Sequence, residues 1–101
     1  MNVAITARHC DVPEELQQRA REIVARLAAL ADRPLDGTVV FDMTSGRAVA
    51  EIRIAAAGGV YIGTADAQDH RSALDRAEEK VRRQLDRGSS AHRGRGAKGV
   101  A

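Results

Sequence analysis

The chain has 101 residues, which suffices for one small domain with a modest hydrophobic core. Its formal net charge is +2, but residues 87–101 hold four basic and no acidic side chains. The single cysteine excludes an intramolecular disulfide and does not suffice for a zinc site. The sequence shows neither the apolar run of a signal peptide nor a membrane-spanning stretch, so we expect a cytoplasmic protein without a membrane partner.

The first third of the sequence predicts a strand and then a helix. Residues 3–7 alternate as in a half-buried strand. Asp11-Val-Pro-Glu-Glu predicts a helix start, because Pro13 suits a first turn and glutamates suit the positive end of the helix dipole. Arg33-Pro34 ends this helix. Its apolar face consists of Leu16, Ala20, Ile23, Leu27 and Leu30.

Three more strands are predicted over residues 38–43, 49–54 and 60–65. Thr44-Ser-Gly-Arg forms the turn between the first two, and Gly58-Gly59 is a two-residue hairpin signal before the third. A right-handed crossover through the first helix makes strands one and two parallel, and the hairpins make the others antiparallel.

The last helix carries the most informative charge pattern. Asp69 is expected to cap its start and Gly88 to close it. At 100° per residue, its core face contains Leu74, Ala77, Val81 and Leu85. A separate stripe without carboxylates contains Arg76, Lys80, Arg83 and Arg87, and a third face contains Asp75, Glu78, Glu79, Arg82 and Asp86. A row of unpaired cations suits phosphates, whereas the alternative is a charged face that serves only solubility.

The sequence therefore predicts an α+β domain, β-α-β-β-β-α, over residues 1–87, with a four-stranded mixed sheet and both helices on one face. Residues 88–101 are too poor in apolar side chains to fold and are predicted to form a flexible basic tail. An RNA-recognition motif is disfavoured, because that fold ends on a strand and stacks bases on aromatic residues, of which this chain has only Phe41 and Tyr61.

The arginines of the first helix are expected to be less available than those of the last. Glu15 and Glu22 precede Arg19 and Arg26 by four residues, the favourable orientation for pairs within one helix. This spacing favours a structural role for Arg19. For Arg26, a structural role and RNA binding stay equally open.

Several segments, in order, resemble a known family. They are Ile5-Thr-Ala-Arg-His9, Gly58-Gly59, Ala65-Asp-Ala-Gln-Asp69, Ala73-Leu-Asp75 and Lys80-Val-Arg-Arg-Gln-Leu85. Together they are similar to the short ribosome hibernation-promoting factors, the family of protein Y (ribosome-associated inhibitor A), whose domain resembles the double-stranded-RNA-binding fold. The resemblance runs from about Met1 to Arg87, and the chain looks like a short form.

The resemblance implies a protein that binds 16S rRNA of the small ribosomal subunit in the channel used by mRNA and tRNA, and blocks translation there. It also implies basic contacts at Arg8, Arg26, Lys80, Arg83 and Arg87. Off the ribosome we expect a monomer. With Arg76 from the stripe, the candidate RNA-binding residues are Arg8, Arg26, Arg76, Lys80, Arg83 and Arg87.

Enzyme chemistry is not expected. His9, His70 and His92 have neither the spacing of a metal site nor that of a catalytic triad, so no cofactor, metal or small-molecule substrate is predicted. Two function classes are left. One is a translation inhibitor that binds RNA, and the other is a protein-interaction module, such as a modulator of an alternative sigma factor, that binds a peptide on its exposed sheet face or edge.

Overall fold

The structure, a computed structural model, describes the backbone of residues 1–94 and the side chains of residues 1–87. The predicted element order is confirmed. The elements are β1 (Asn2–Ala7), α1 (Glu14–Ala28), β2 (Pro34–Thr44), β3 (Arg47–Ala56), β4 (Gly59–Ala67) and α2 (His70–Gly94). The sheet order is β1-β2-β3-β4, with β1 parallel to β2 and the other neighbours antiparallel. No described helix is long and apolar enough to cross a membrane.

Both helices pack on one face of the sheet, α1 mainly over β1 and β2 and α2 over β3 and β4. Alternate strand residues point into this layer, so Phe41, Ile52 and Ile54 are fully buried against Ile23 and Leu74. The opposite sheet face is open, as the alternating strand patterns predict. The core therefore lies in a single layer between the sheet and the helices.

The apolar face of α1 differs from the predicted one at its two ends. Leu16 is only half-buried and Leu30 is exposed, whereas Val24 and Ala28 are buried. The helix begins after Pro13, whose carbonyl accepts hydrogen bonds from the backbone of Leu16 and Gln17, and it ends before Leu30. A side chain beyond the last turn no longer follows the helical period, which explains the exposure of Leu30.

The first hairpin turn lies where the sequence predicts it, and the second is displaced by one residue. Ser45 and Gly46 have φ values of 53° and 76°, as a tight turn with left-handed residues requires, so the predicted turn is confirmed. The second loop lies at Ala57-Gly58, one residue before the predicted Gly58-Gly59. Gly59 already pairs with Ala56 and has a φ of 142°. The Ala57 N–H donates to the carbonyls of both Asp32 and Arg33, which fixes the loop position.

The start of α2 is as predicted, but its end is not. Asp69 Oδ1 accepts a hydrogen bond from the backbone N–H of Ser72 at 2.8 Å, and this bond lowers the pKa of Asp69. The prediction that Gly88 closes the helix is wrong, since α2 continues to Gly94. A lone glycine weakens a helix without ending it when no proline follows. The predicted tail thus overlaps α2 over residues 88–94. Residues 95–101 lie outside the described part of the chain, and the flexibility of the tail stays a prediction.

Gly63 allows α2 to approach β4 closely. A Cβ atom at this position would lie 2.6 Å from the carbonyl oxygen of Ala77 and 2.9 Å from a methyl group of Val81. These distances are shorter than van der Waals contact, so a larger residue would force the helix away from the strand. The glycine therefore sets the distance between α2 and β4.

Candidate nucleic-acid interface

The four predicted stripe cations lie together on the exposed side of α2 that faces the outer edge of β4. Arg76 Nη1 donates to the carbonyl of Asp66 at 3.2 Å, and Lys80 Nζ donates to the carbonyl of Thr64 at 2.7 Å. Arg87 is exposed and has no hydrogen-bond or ion-pair partner among the described residues. We call the surface formed by these cations the α2–β4 surface; it consists of Arg47, Arg76, Lys80, Arg83 and Arg87.

Two carboxylates lie on the same surface, which corrects the prediction of a row of unpaired cations. Arg83 Nη2 lies 3.1 Å from Glu79 Oε2, and both side chains are 65% exposed. Arg47 Nε lies 2.6 Å from Asp66 Oδ2, and this pair, reinforced by the charge of Arg76, lowers the pKa of Asp66. Ion pairs this exposed are weak, so they compete poorly with a phosphate. Because the five cations outnumber the two carboxylates, the surface is net positive.

Gln84 belongs to this surface, although the charge pattern did not reveal it. Its amide oxygen accepts the N–H of Ile62 at 3.1 Å, and its amide nitrogen donates to the carbonyl of Ile62 at 2.6 Å. The signal that could have found it is spacing. Arg76, Lys80 and Gln84 are four residues apart on one helix, which places them in a row toward the edge strand.

The ion pairs within α1 that the four-residue spacing favours, Glu15–Arg19 and Glu22–Arg26, are not the ones that the structure shows. Arg19 Nη2 lies 2.9 Å from Asp75 Oδ1 of α2, and Arg26 Nη2 lies 3.3 Å from Glu78 Oε2 of α2. Glu78 also binds Arg82 at 2.7 Å, and only 14% of its side chain is exposed. The reason is that α1 and α2 pack side by side, which brings acceptors from another helix closer than those one turn away. Asp75 and Glu78 of the acidic face are therefore directed at α1.

The remaining candidates lie away from the α2–β4 surface. Arg26, at the contact between the helices, is 54% exposed on its side chain. Arg8 follows β1 at the opposite edge of the sheet, where its N–H donates to the carbonyl of Phe41 at 2.8 Å. The structure thus brings together four of the six candidate residues and leaves Arg8 and Arg26 at separate positions.

The two described histidine side chains both contact Asp42. His9 Nδ1 lies 3.0 Å from Asp42 Oδ1, which lowers the pKa of that carboxyl, and His70 Nε2 lies 2.9 Å from the Asp42 carbonyl oxygen. The His70 ring also meets Phe41 edge to face. These contacts join the ends of β1 and β2 to the start of α2. The side chain of His92 lies outside the described residues.

Neither a metal site nor a reactive thiol is evident in the described residues. No group of three or more potential ligands there could hold a metal ion. Cys10 is half-buried, and burial together with the nearby charge of Asp42 raises the pKa of its thiol. A neutral thiol is a poor nucleophile. The positively charged side chains of the described surface can bind anions.

Comparison with known proteins agrees with this arrangement. Residues 3–93 match the sequence profile of a family described as "Sigma 54 modulation protein / S30EA ribosomal protein". The chain belongs to this family. The resemblance to ribosome hibernation-promoting factors and protein Y is thereby confirmed, as is the α+β fold. No curated protein gives a significant sequence match.

Two solved structures are similar to this chain. The N-terminal domain of protein Y from Thermus thermophilus is 26% identical, with a TM-score of 0.75, and the match covers 86% of this chain and 98% of that one. A ribosomal subunit interface protein from Coxiella burnetii has a TM-score of 0.77 at 14% identity, covering 89% of this chain and 99% of that one. At that identity the likeness shows the fold alone.

Proposed function

We propose that this protein binds the small ribosomal subunit through 16S rRNA, in the channel used by mRNA and tRNA, and blocks translation by occupying it. The observation that carries the proposal is the net positive charge of the α2–β4 surface, on which five cations outnumber two carboxylates. Membership of a family described partly as ribosomal supports the same partner.

The proposed contacts are phosphate contacts. Arg76 and Lys80 each give one described hydrogen bond to a β4 carbonyl, which leaves further N–H groups for phosphate oxygens. Arg83 and Arg87 extend the row, and guanidinium groups bind phosphates with two parallel hydrogen bonds. Arg8 and Arg26 are proposed as separate, weaker contacts, because they lie outside this surface.

Inhibition is proposed to work by volume exclusion, without a chemical step. A rigid domain whose cations hold it against RNA fills space that a tRNA or messenger needs. Neither partner is altered, so excess mRNA, tRNA or initiation factors should reverse the block by mass action. In cell-free translation, inhibition should saturate at about one protein per ribosome. Inhibition by much less protein, or rRNA left cleaved after washing, would contradict occupancy.

The direct test is cosedimentation with ribosomes over a series of salt concentrations. Wild-type affinity should fall steeply with salt, because phosphate contacts release counterions. The double variant Lys80→Ala/Arg83→Ala should bind more weakly and flatten the salt slope by about two units or slightly less. Circular dichroism should show that it folds.

The matched control removes the same charge elsewhere. Arg21→Ala/Arg53→Ala deletes two exposed arginines, one on α1 and one on the open sheet face. Its salt slope should stay close to that of the wild type. Equal losses in the two double variants would mean that binding depends on overall charge, and not on the α2–β4 surface.

A second candidate function is a protein-interaction module, which the other half of the family description favours. Val60 and Ile62 are 51% and 43% exposed on the open sheet face, which a partner could cover. The β4 edge is less suited to strand addition, since α2 side chains already bind the carbonyls of Ile62, Thr64 and Asp66. Salt-insensitive binding to one protein, with no affinity for ribosomes, would favour this function.

A further inference from the structure

Gln84 makes two contacts that phosphate binding by itself does not require. It accepts from the N–H of Ile62 and donates to the carbonyl of the same residue, at 3.1 and 2.6 Å. A neighbouring strand in an antiparallel sheet would satisfy both groups of one residue in the same way. An amide side chain can replace such a strand because it has both a donor and an acceptor.

Arg76, Lys80 and Gln84 form a row along α2, and this row is in register with β4. Successive row residues are four apart on α2, about 6 Å along the helix axis. Their partners Asp66, Thr64 and Ile62 are two apart on β4, about 6.8 Å along the strand. The two repeats nearly match, so each side chain meets the next outward carbonyl of the edge strand. Gly63 keeps the helix close enough for all three contacts.

The members of the row differ in what else they can bind. Arg76 and Lys80 are cations, and a phosphate competes with the β4 carbonyls for them. Gln84 is neutral, so a phosphate draws it away far less strongly. When the cations turn toward RNA, Gln84 is the contact of this row that still joins α2 to the edge of β4.

We propose that Gln84 is a positioning residue for ribosome binding, which fixes α2 on the β4 edge so that Lys80 and Arg83 meet phosphates as a preorganised set. The proposal rests on the proposed function, because the ligand is the same RNA. Its physical basis is that charges held in place before binding lose less conformational entropy when they bind. Gln84 itself need not touch RNA.

The test is Gln84→Met, which keeps the length of the side chain and removes both hydrogen bonds. Amide exchange at Ile62 should become faster, while the melting temperature changes little. Ribosome affinity should fall roughly fivefold, because Lys80 and Arg83 are then ordered only when they bind, at a cost similar to that of immobilising one flexible side chain. The salt slope should stay unchanged, because every cation is retained. Gln84→Ala should give the same result without adding an apolar side chain.

The control and the readouts separate the possible failures. Gln18→Met makes the same substitution at an exposed position of α1 and should affect neither Ile62 exchange nor affinity. If Gln84→Met binds ribosomes like the wild type, or if its salt slope flattens as in Lys80→Ala/Arg83→Ala, the positioning role is wrong although the proposed function stands. If the wild type itself does not bind ribosomes, the proposed function and the positioning role both fail.

Discussion

Both helices carry arginines but use them differently. Arg19 and Arg26 of α1 meet carboxylates of α2 at 2.9 and 3.3 Å. On the outer side of α2, Arg76 and Lys80 meet only main-chain carbonyls, and Arg87 has no partner among the described residues. The presence of arginines on a helix therefore does not by itself identify a binding surface. What decides is which face the neighbouring helix has already neutralised.

The largest expected effect concerns how tightly each helix is fixed to the sheet. Gly63→Ala should lower the free energy of unfolding by about 2–3 kcal/mol, because its Cβ would meet main-chain atoms of α2. Gly37→Ala, under α1, should cost about 1–2 kcal/mol, because its Cβ would meet a side-chain methyl of Val24. Urea denaturation measures both. Equal costs would show that α2 is no more rigidly placed than α1.

The comparison is tested most directly by removing two arginines from each helix. Arg76→Ala/Arg87→Ala should reduce ribosome affinity at low salt by roughly tenfold, since two phosphate contacts are lost. Arg19→Ala/Arg26→Ala should reduce it by less than about threefold, because these arginines are already paired. Cosedimentation at matched salt measures the difference. A larger loss of affinity in Arg19→Ala/Arg26→Ala would indicate that α1, and not α2, faces the RNA.

A smaller effect should follow when the neutralising carboxylate is removed. Glu78→Gln keeps the shape of the side chain but frees Arg26 and Arg82 from their ion pairs. Affinity for ribosomes at low salt should rise by about twofold to threefold, with a steeper salt slope. The cost in stability should be below about 1 kcal/mol. Unchanged affinity would mean that the contact between the helices faces away from RNA.

The smallest effect concerns the helix starts at acid pH. Hydrogen bonding to Ser72 lowers the pKa of Asp69, so its contribution to stability is present above the unfolded-state pKa, near about 4, and is lost as pH falls through the lower folded-state pKa. The first turn of α2 should therefore exchange its amides faster as the pH approaches 3. Capping of α1 should not respond, since Pro13 offers no side-chain cap.

Hydrogen exchange followed by mass spectrometry between pH 7 and about pH 3, with rates corrected for the intrinsic pH dependence, measures this difference. In Asp69→Ala the pH dependence at the start of α2 should disappear. Equal acid fraying of both helix starts in the wild type would contradict the role of the Asp69 cap.

Local patterns predicted the fold well, because they report on local physics. The alternation in β1 to β4, the helical period around Leu74 and Val81, and the Asp69 cap depend on residues a few positions apart. The sequence also placed the four cations of α2 on one face. The extent of α2 was missed, because Gly88 lowers helix stability without forbidding the helix.

The site was less predictable where partners come from other elements. Glu15 and Glu22 were plausible partners of Arg19 and Arg26, but the packing of α1 against α2 offers Asp75 and Glu78 instead. Gln84 carries no charge, and its partner is the backbone of a strand 22 residues away. The four-residue spacing from Lys80 points to the position of Gln84, but its contact with a strand 22 residues away became visible only once α2 was placed against β4.

The row of α2 side chains along β4 also limits how this sheet can grow. A sheet of four strands has two edges, and here the outer carbonyls of one are already bound by Arg76, Lys80 and Gln84. Fibrils require both edges, since each added molecule must offer the next a free strand. With β1 the only open edge among the described strands, pairing between copies would stop at two molecules. The row of side chains that includes the ligand-binding cations Arg76 and Lys80 thus also prevents strand addition at β4, which fibril growth would require.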